Sequence, residues 1–399
     1  MQVPPVGTSR LLNNIMVRYL KACGRVLSSL RLTVVLLGLG MVLIFFGTLD
    51  QVHLGIHAAQ AKYFRSLFVL WQPAGAGWSI PIFPGGYLIG TLLFLNLVAA
   101  HGTRFKPTPK KIGIFTIHAG VVVLLLGELL TGLFAKESMM RMDIGTAQNY
   151  SEAPREAELA IIDTSSKDDD LVVAIPQSLL AHANIIQHPA LPFMLKIVKF
   201  IANTALVMRS QAPDAPASLA TTGIGPNVVA TEIPRTVKQD ERDLTTAFVQ
   251  INTVEGPLGT WLVSNALGMP QSFSYDGHNY GLRMRQKRYY KPFTIKLLDF
   301  RHDIYPGTDI PKNFSSRIRL IDSRQKEDRD VLIYMNSPLR YRGYTFYQAG
   351  FDNNDKTSIL QVVKNPTFIL PYIACGLVGA GLLTQFSMHL VGFLRRRRP

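Results

Sequence analysis

Residues 112–135 read IGIFTIHAGVVVLLLGELLTGLFA, and residues 136–163 read KESMMRMDIGTAQNYSEAPREAELAIID. The first stretch is apolar apart from His118 and Glu128, and it matches the about 20 residues a helix needs to cross a bilayer. The second carries charges, turn residues and a β-type run, AELAIID at 157–163. A membrane-spanning text therefore changes to an aqueous, β-type text at 135/136, and that change fixes the fold class.

Three other runs have the character of the first. They are LTVVLLGLGMVLIFFGTL at 32–49, PGGYLIGTLLFLNLVAAH at 84–101 and the closing run at 367–394. The residues before the first run contain Arg10, Arg18, Lys21, Arg25 and Arg31, no acid and no small-residue cleavage site, so it reads as a retained span rather than a signal peptide. Residues 71–84, rich in Pro, Gly and Trp, suit an interfacial loop. The expectation is an α+β membrane protein. Four transmembrane helices (about 32–49, 84–101, 112–135 and 367–394) flank a large β-rich extracytoplasmic domain at 136–366, with a basic arm at 1–31 and a basic tail at 395–399.

Charge supports this reading and excludes nucleic-acid binding. The chain has 399 residues, 47% hydrophobic and only 17% charged, with a net charge of +15. Its mean hydropathy is +0.16. Of 27 acids, all but Asp50 and Glu128 lie in 136–365, where 27 basic residues face 25 acidic ones for a net of +2. The excess sits in the arm, in the loop holding Arg104, Lys106, Lys110 and Lys111, and in Arg395–Arg398. The positive-inside rule then puts both termini in the cytoplasm and residues 136–366 outside, the topology expected of a multi-pass membrane protein. Cys23 and Cys375 are the only cysteines, without a C-x-x-C, which excludes a disulfide exchanger and a disulfide-stapled domain.

The outer domain reads as short strands, at 157–163, 171–175, 193–198, 246–253, 293–300, 317–322, 331–334, 344–347 and 358–363. Ser274–His278 reads as a hairpin turn. A β-sandwich or a related β-rich fold follows. Residues 209–227 look like a long loop or an insertion. No catalytic motif occurs, and His182, His188, His278 and His302 lack ligand spacing. Arg283, Arg285, Lys287 and Arg288 suggest a solvated strand face, with a docking patch as the alternative.

Ionisable groups inside a span are functional candidates. His118 lies seven residues past Lys111, about 10 Å into the bilayer. Beside the small residues Ala119 and Gly120, its imidazole suits either an axial haem ligand or a hydrogen bond to a neighbouring helix. His101 and His389 also sit near the cytoplasmic ends of their spans. A wet boundary accounts for both, and a cluster with His118 is the alternative. Glu128 lies about 15 Å beyond His118 along the axis, and no role for it can be read.

With these residues in hand, the chain resembles the ResB (CcsB) family of System II cytochrome c biogenesis proteins. The carriers are 36–51, 84–101, IHAGVVVLLLGELLTG at 117–132, YPGTDIPKNFSSRIRL at 305–320 and MNSPLRYRGYTFYQAGFD at 335–352. The resemblance covers about 30–145 and 290–394. It implies a subunit of a cytochrome c haem-lyase complex rather than a complete enzyme. Its partner would be a CcsA/ResC-type membrane protein with a tryptophan-rich haem-handling motif. The pair would move haem b, transiently bound, across the lipid bilayer and present it, reduced, to apocytochrome c. His118 matches the family's transmembrane histidine ligand. Trp71, Trp78 and Trp261 form no cluster, so the tryptophan-rich motif must come from the partner. Two rival readings stay open: a b-type electron-transfer protein using His118 and His389, and a cofactor-free, membrane-anchored docking domain.

Overall fold

The computed structural model describes residues 22, 24–73, 77–103, 108–166, 169–237, 242–308, 311–352 and 356–397. Arg10, Arg18, Lys21 and Cys23 of the N-terminal segment, Arg104 and Lys106 of the basic loop, and Arg398 lie outside the described residues. The chain forms two compact units, one of residues 1–135, 237–239 and 365–399, the other of residues 136–236 and 240–364.

The first unit contains, among the described residues, four helices long and apolar enough to cross a membrane. They are α1 (Leu30–Ala59), α2 (Gly86–Thr103), α3 (Ile112–Phe134) and α4 (Leu370–Arg397). Helical structure runs on past Leu49, where the apolar run ends, because the chain reverses there rather than lengthening the span. Gly55 breaks α1 at φ 72, and a π turn at Gln60–Phe64 follows. The Phe64 ring returns against Gly47, where a Cβ would lie 3.0 Å from it. Lys62 Nζ and Tyr63 Oη both donate to Asp50 at 2.7 Å, closing the hook. A short antiparallel hairpin of β1 (Phe68–Trp71) and β2 (Ile80–Pro84) then leads into α2.

Asn96 explains how a polar residue is tolerated on α2. It is buried, it accepts from Thr33 Oγ1 at 2.6 Å, and its amide donates to Leu27 O and Ser29 O. Every polar atom of the side chain thus has a partner, as a low-dielectric setting demands. Helices α3 and α4 pack antiparallel through Gly113, Gly120 and Gly127, three buried glycines spaced by seven. A Cβ on Gly120 would meet Val378 Cγ2 at 2.7 Å and Ala374 O at 2.9 Å, and one on Gly113 would meet Gly381 O at 2.8 Å. Small residues on one stripe let two backbones approach this closely. The Asn365–Thr131–Thr367 hydroxyl and amide bonds tie the other end of the same pair.

In the second unit the strands are, in chain order, β3 (Lys136–Asp143), β4 (Ala147–Asp163), β5 (Leu171–Pro176), β6 (Ile185–Ile186), β7 (Met194–Ile201), β8 (Thr204–Met208), β9 (Val228–Glu232) and β10 (Thr246–Thr253). They continue with β11 (Gly256–Ser264), β12 (Gln271–Tyr275), β13 (His278–Ile304), β14 (Pro311–Asp322), β15 (Glu327–Tyr334), β16 (Leu339–Tyr341), β17 (Tyr344–Asp352) and β18 (Thr357–Lys364). A large antiparallel sheet has the order β15-β14-β13-β4-β3-β18-β17-β16, with β12 beside β13 and β5 beside β4. A four-stranded sheet has the order β11-β10-β7-β6, and β8 pairs with β9. The expected turn before His278 is present, with Asp276 (φ 51) and Gly277 (φ 74) in the left-handed conformation that tight hairpins need.

The long strands β4 and β13 form the spine. They pair from Tyr280↔Asp163 to Tyr290↔Tyr150, with one register shift between Gln286 and Arg288, and resume after a second shift at Ile295↔Gln148. One half packs face to face on the four-stranded sheet, where Leu159, Ile161, Leu282 and Met284 meet Leu195, Val249, Ile251 and Trp261. Beyond it β13 enters a second core of Met140, Ile295, Leu320, Ile333, Phe346 and Leu360. Each such buried side chain contributes about 1.5–3 kcal/mol.

One expectation needs correction. The cations on β13 do not form a solvated face: Arg285 Nε donates to Glu158 at 2.9 Å with both side chains buried, while Lys287 pairs with Glu156 and Arg288 with Glu152. The register sets Glu158 opposite Arg285 and Glu152 opposite Arg288, and Glu156, at the register shift between them, reaches Lys287. Residues 209–227 form a long loop, as expected, and it is an anchored one. Arg209 donates to the carbonyls of Pro226, Ala215 and Pro216, and Ala220 packs with Ile201, Val228, Phe248 and Leu262 in a small third core.

Candidate intramembrane histidine site

Helix α2 ends at Thr103 and α3 begins at Ile112, so His101 in the last turn of one can face the first turns of the other. His118 and Phe115 lie three apart on α3 and share a face. The His101 ring sits against both, 4.7 Å from the His118 ring at 85° and 5.7 Å from Phe115. His118 Nδ1 and His101 Nε2 are 2.9 Å apart, and His101 Nδ1 is 2.8 Å from Leu97 O. A carbonyl can only accept, so His101 Nδ1 carries a proton. In a pair of neutral rings His101 Nε2 must then accept, and His118 Nδ1 donates to it. The lone pair of the His118 ring resides on Nε2, the nitrogen that a metal takes.

The other candidates are placed differently. His389 Nε2 accepts from Gln385 Nε2 at 2.9 Å, one turn away on its own helix. In the antiparallel α3–α4 contact Gly113 meets Gln385 and Gly381, and Gly120 meets Val378. His118 is thus level with residues between 378 and 381, and His389 lies about a dozen ångström further along the axis. The structure brings His101 to His118 and leaves His389 outside the pair. Glu128 is exposed on α3 with no polar partner in the chain among the described residues. Gly120 is buried against α4, so it serves helix packing and not the approach of a flat group beside His118.

In the β-rich unit, His278 pairs with Asp163 at 2.9 Å, and Ser165 donates to the same carboxylate. The Ser165 hydroxyl foremost, then the Ser165 amide and His278, hold Asp163 below the ordinary carboxylate range against the opposing pull of burial. His302 is stacked with Phe314 and Phe351. Among the described residues no group of three or more His, Cys, Asp or Glu is arranged to hold a metal ion. One unusual cation emerged that the sequence did not flag. Lys291 is 5% exposed, donates to Ser151 Oγ at 2.5 Å and Tyr289 O at 3.1 Å, and lies 5.4 Å from the Tyr344 ring centre. Burial pushes its ammonium down to about 8.

Four long apolar helices, a β-rich unit inserted between the third and fourth, and a histidine pair joining two of those helices together fit a multi-span membrane protein. Residues 98–367 match the model of the ResB-like family, and the chain belongs to that family of cytochrome c biogenesis proteins. It is also 35% identical over 92 residues to Protein NrfI of Wolinella succinogenes, an alignment covering 23% of this chain and 10% of that protein. The chain thus spans about a tenth of the length of the curated relative it matches.

Proposed function

We propose that this chain handles haem during cytochrome c biogenesis, with His118 as one axial ligand. The cargo crosses the bilayer between this chain and a CcsA/ResC-type partner bearing a tryptophan-rich motif, and apocytochrome c receives it on the outer face. Both termini lie in the cytoplasm and residues 136–366 outside, an orientation supported by the basic residues flanking the apolar runs. The observation that carries the haem reading is the His118 ring itself, whose Nδ1 is engaged by His101 so that Nε2 is the electron-pair donor.

The donor set fits single ligation. Two histidines on opposite faces of one haem iron would need ligating nitrogens about 4 Å apart, from two bonds of about 2 Å each. At 2.9 Å the two rings hydrogen-bond instead, so the second ligand comes from the partner. His118 holds the iron at one face, and the family's second protein closes the other. The β-rich unit offers strand edges to an extended apocytochrome segment, a mode in which backbone bonds supply affinity. Deleting 136–366 without loss of haem attachment would sink that last element.

An absorption spectrum of the detergent-purified chain, expressed with and without the partner, tests the proposal. We expect a reduced b-type spectrum with the partner, lost in His118→Ala and kept in His389→Ala. Haem retained in His118→Ala removes His118 as the ligand. Loss in His389→Ala alone would restore the electron-transfer reading.

A further inference from the structure

We infer that His101 is a positioning residue for His118: it fixes the His118 tautomer and ring orientation, and so presents Nε2 rather than Nδ1 to an incoming metal. The inference rests on the haem reading for its ligand, whereas the tautomer is a property of the chain alone.

The argument is a chain of donors and acceptors that runs one way. Leu97 O is a backbone acceptor on α2. It takes the Nδ1 proton of His101, which turns His101 Nε2 into an acceptor. That nitrogen takes the Nδ1 proton of His118 at 2.9 Å. The two rings are near-perpendicular, at 85°, with these nitrogens within hydrogen-bonding distance. An isolated imidazole has no such bias towards the Nδ1–H form, so the tautomer at His118 is imposed from the neighbouring helix. A ligating histidine whose other nitrogen donates to a fixed acceptor is held in orientation and is the more basic ligand. Loss of such a partner typically weakens metal affinity by about 10–100-fold. The relay also explains why a second histidine lies within bonding distance of the first without being able to share its metal.

Two substitutions separate this role from simple packing. His101→Phe keeps an aromatic ring beside Phe115 and removes the acceptor. His101→Gln keeps an acceptor oxygen on a shorter, non-aromatic side chain. The full chain, labelled with 15N-histidine and reconstituted in lipid without haem, reports the tautomer through its imidazole nitrogen shifts. His118→Ala identifies the His118 signals by difference.

We expect His118 as Nδ1–H in the wild type and in His101→Gln, and as predominantly Nε2–H in His101→Phe. With the partner present, haemin affinity should fall about tenfold or more in His101→Phe and recover largely in His101→Gln. A wild-type His118 in the Nε2–H form, or one unchanged in His101→Phe, overturns the inference. The haem reading fails separately, through a wild type that binds no haem while its His118 tautomer is as expected. Haem affinity lost equally in both variants, with the tautomer unmoved, would mark His101 as packing alone.

Discussion

Lys291 carries a charge where the described residues offer it hydroxyl, carbonyl and ring partners but no carboxylate. The unfolded chain keeps this proton up to the usual lysine value of 10.5, while the folded domain releases it near 8. Between those values the unfolded state binds more protons, so stability rises with pH across that window, and below it the whole penalty is present. At about 1.4 kcal/mol per pH unit the gain is on the order of 3 kcal/mol. Urea unfolding of the chain in detergent should therefore show a rise between pH 8 and 10.5 that Lys291→Met lacks. The variant should also be the more stable one at pH 7. Identical pH curves for both would show that this ammonium is not held down by its surroundings. Lysine positions are visible in a sequence, but the absence of an opposing acid is a property of strand register. Arg285, Lys287 and Arg288, a few residues earlier on the same strand, meet acids on β4. His118 was legible for a different reason, since a histidine inside an apolar run is conspicuous wherever the helix packs.

Helices α3 and α4 meet along glycines, and the seven-residue spacing of Gly113, Gly120 and Gly127 was present in the sequence from the start. What the spacing could not say is which neighbour the stripe faces, and the small residues beside His118 left both a ligand and another helix open; the structure puts a helix there. Gly120→Leu should push the helices apart, because even the first carbon of the new side chain falls 2.7 Å from Val378. The hydroxyls of Thr131 and Thr367 are 3.0 Å apart at the far end of the pair, which makes the two positions a gauge of that separation. In a background without Cys23 and Cys375, a Thr131→Cys/Thr367→Cys disulfide should form readily, and several-fold less with Gly120→Leu. Undiminished cross-linking would mean the contact does not depend on the glycines. The first helix shows the limit of hydropathy more plainly. The apolar run ends at Leu49, yet the helix persists to Gly55, and the fold-back is held by Asp50, Lys62 and Tyr63, whose pairing crosses the break.

Within the β-rich unit the two larger cores are joined by β13, which gives Tyr280, Leu282 and Met284 to one and Phe293, Ile295 and Leu297 to the other. Damage to one core should therefore be felt in the other. Trp261, 2% exposed in the first core, reports on its own side. Leu320→Ala, in the second core, should cost about 2–5 kcal/mol and lower the midpoint of the Trp261 fluorescence transition by about as much as Leu195→Ala in the first. A Trp261 transition that ignores Leu320→Ala would show that the halves unfold independently. The short strands were readable from alternation, for instance 246–253, but their partners were not. The sheet joins strands as distant in sequence as β3 and β18, and no local pattern encodes that pairing. That same pairing has a consequence for how such a chain is assembled. Lys136 and Lys364, the first and last residues of the unit, are direct partners in the ladder. Topologically, α3 and α4 are the two arms of an ordinary helical hairpin, and the whole β-rich unit occupies the place of its turn. Because the unit begins and ends at one point, it lengthens the connection without widening the gap the connection must bridge. A domain with adjoining ends can be gained, enlarged or exchanged in such a turn while the helix pair beneath keeps its geometry.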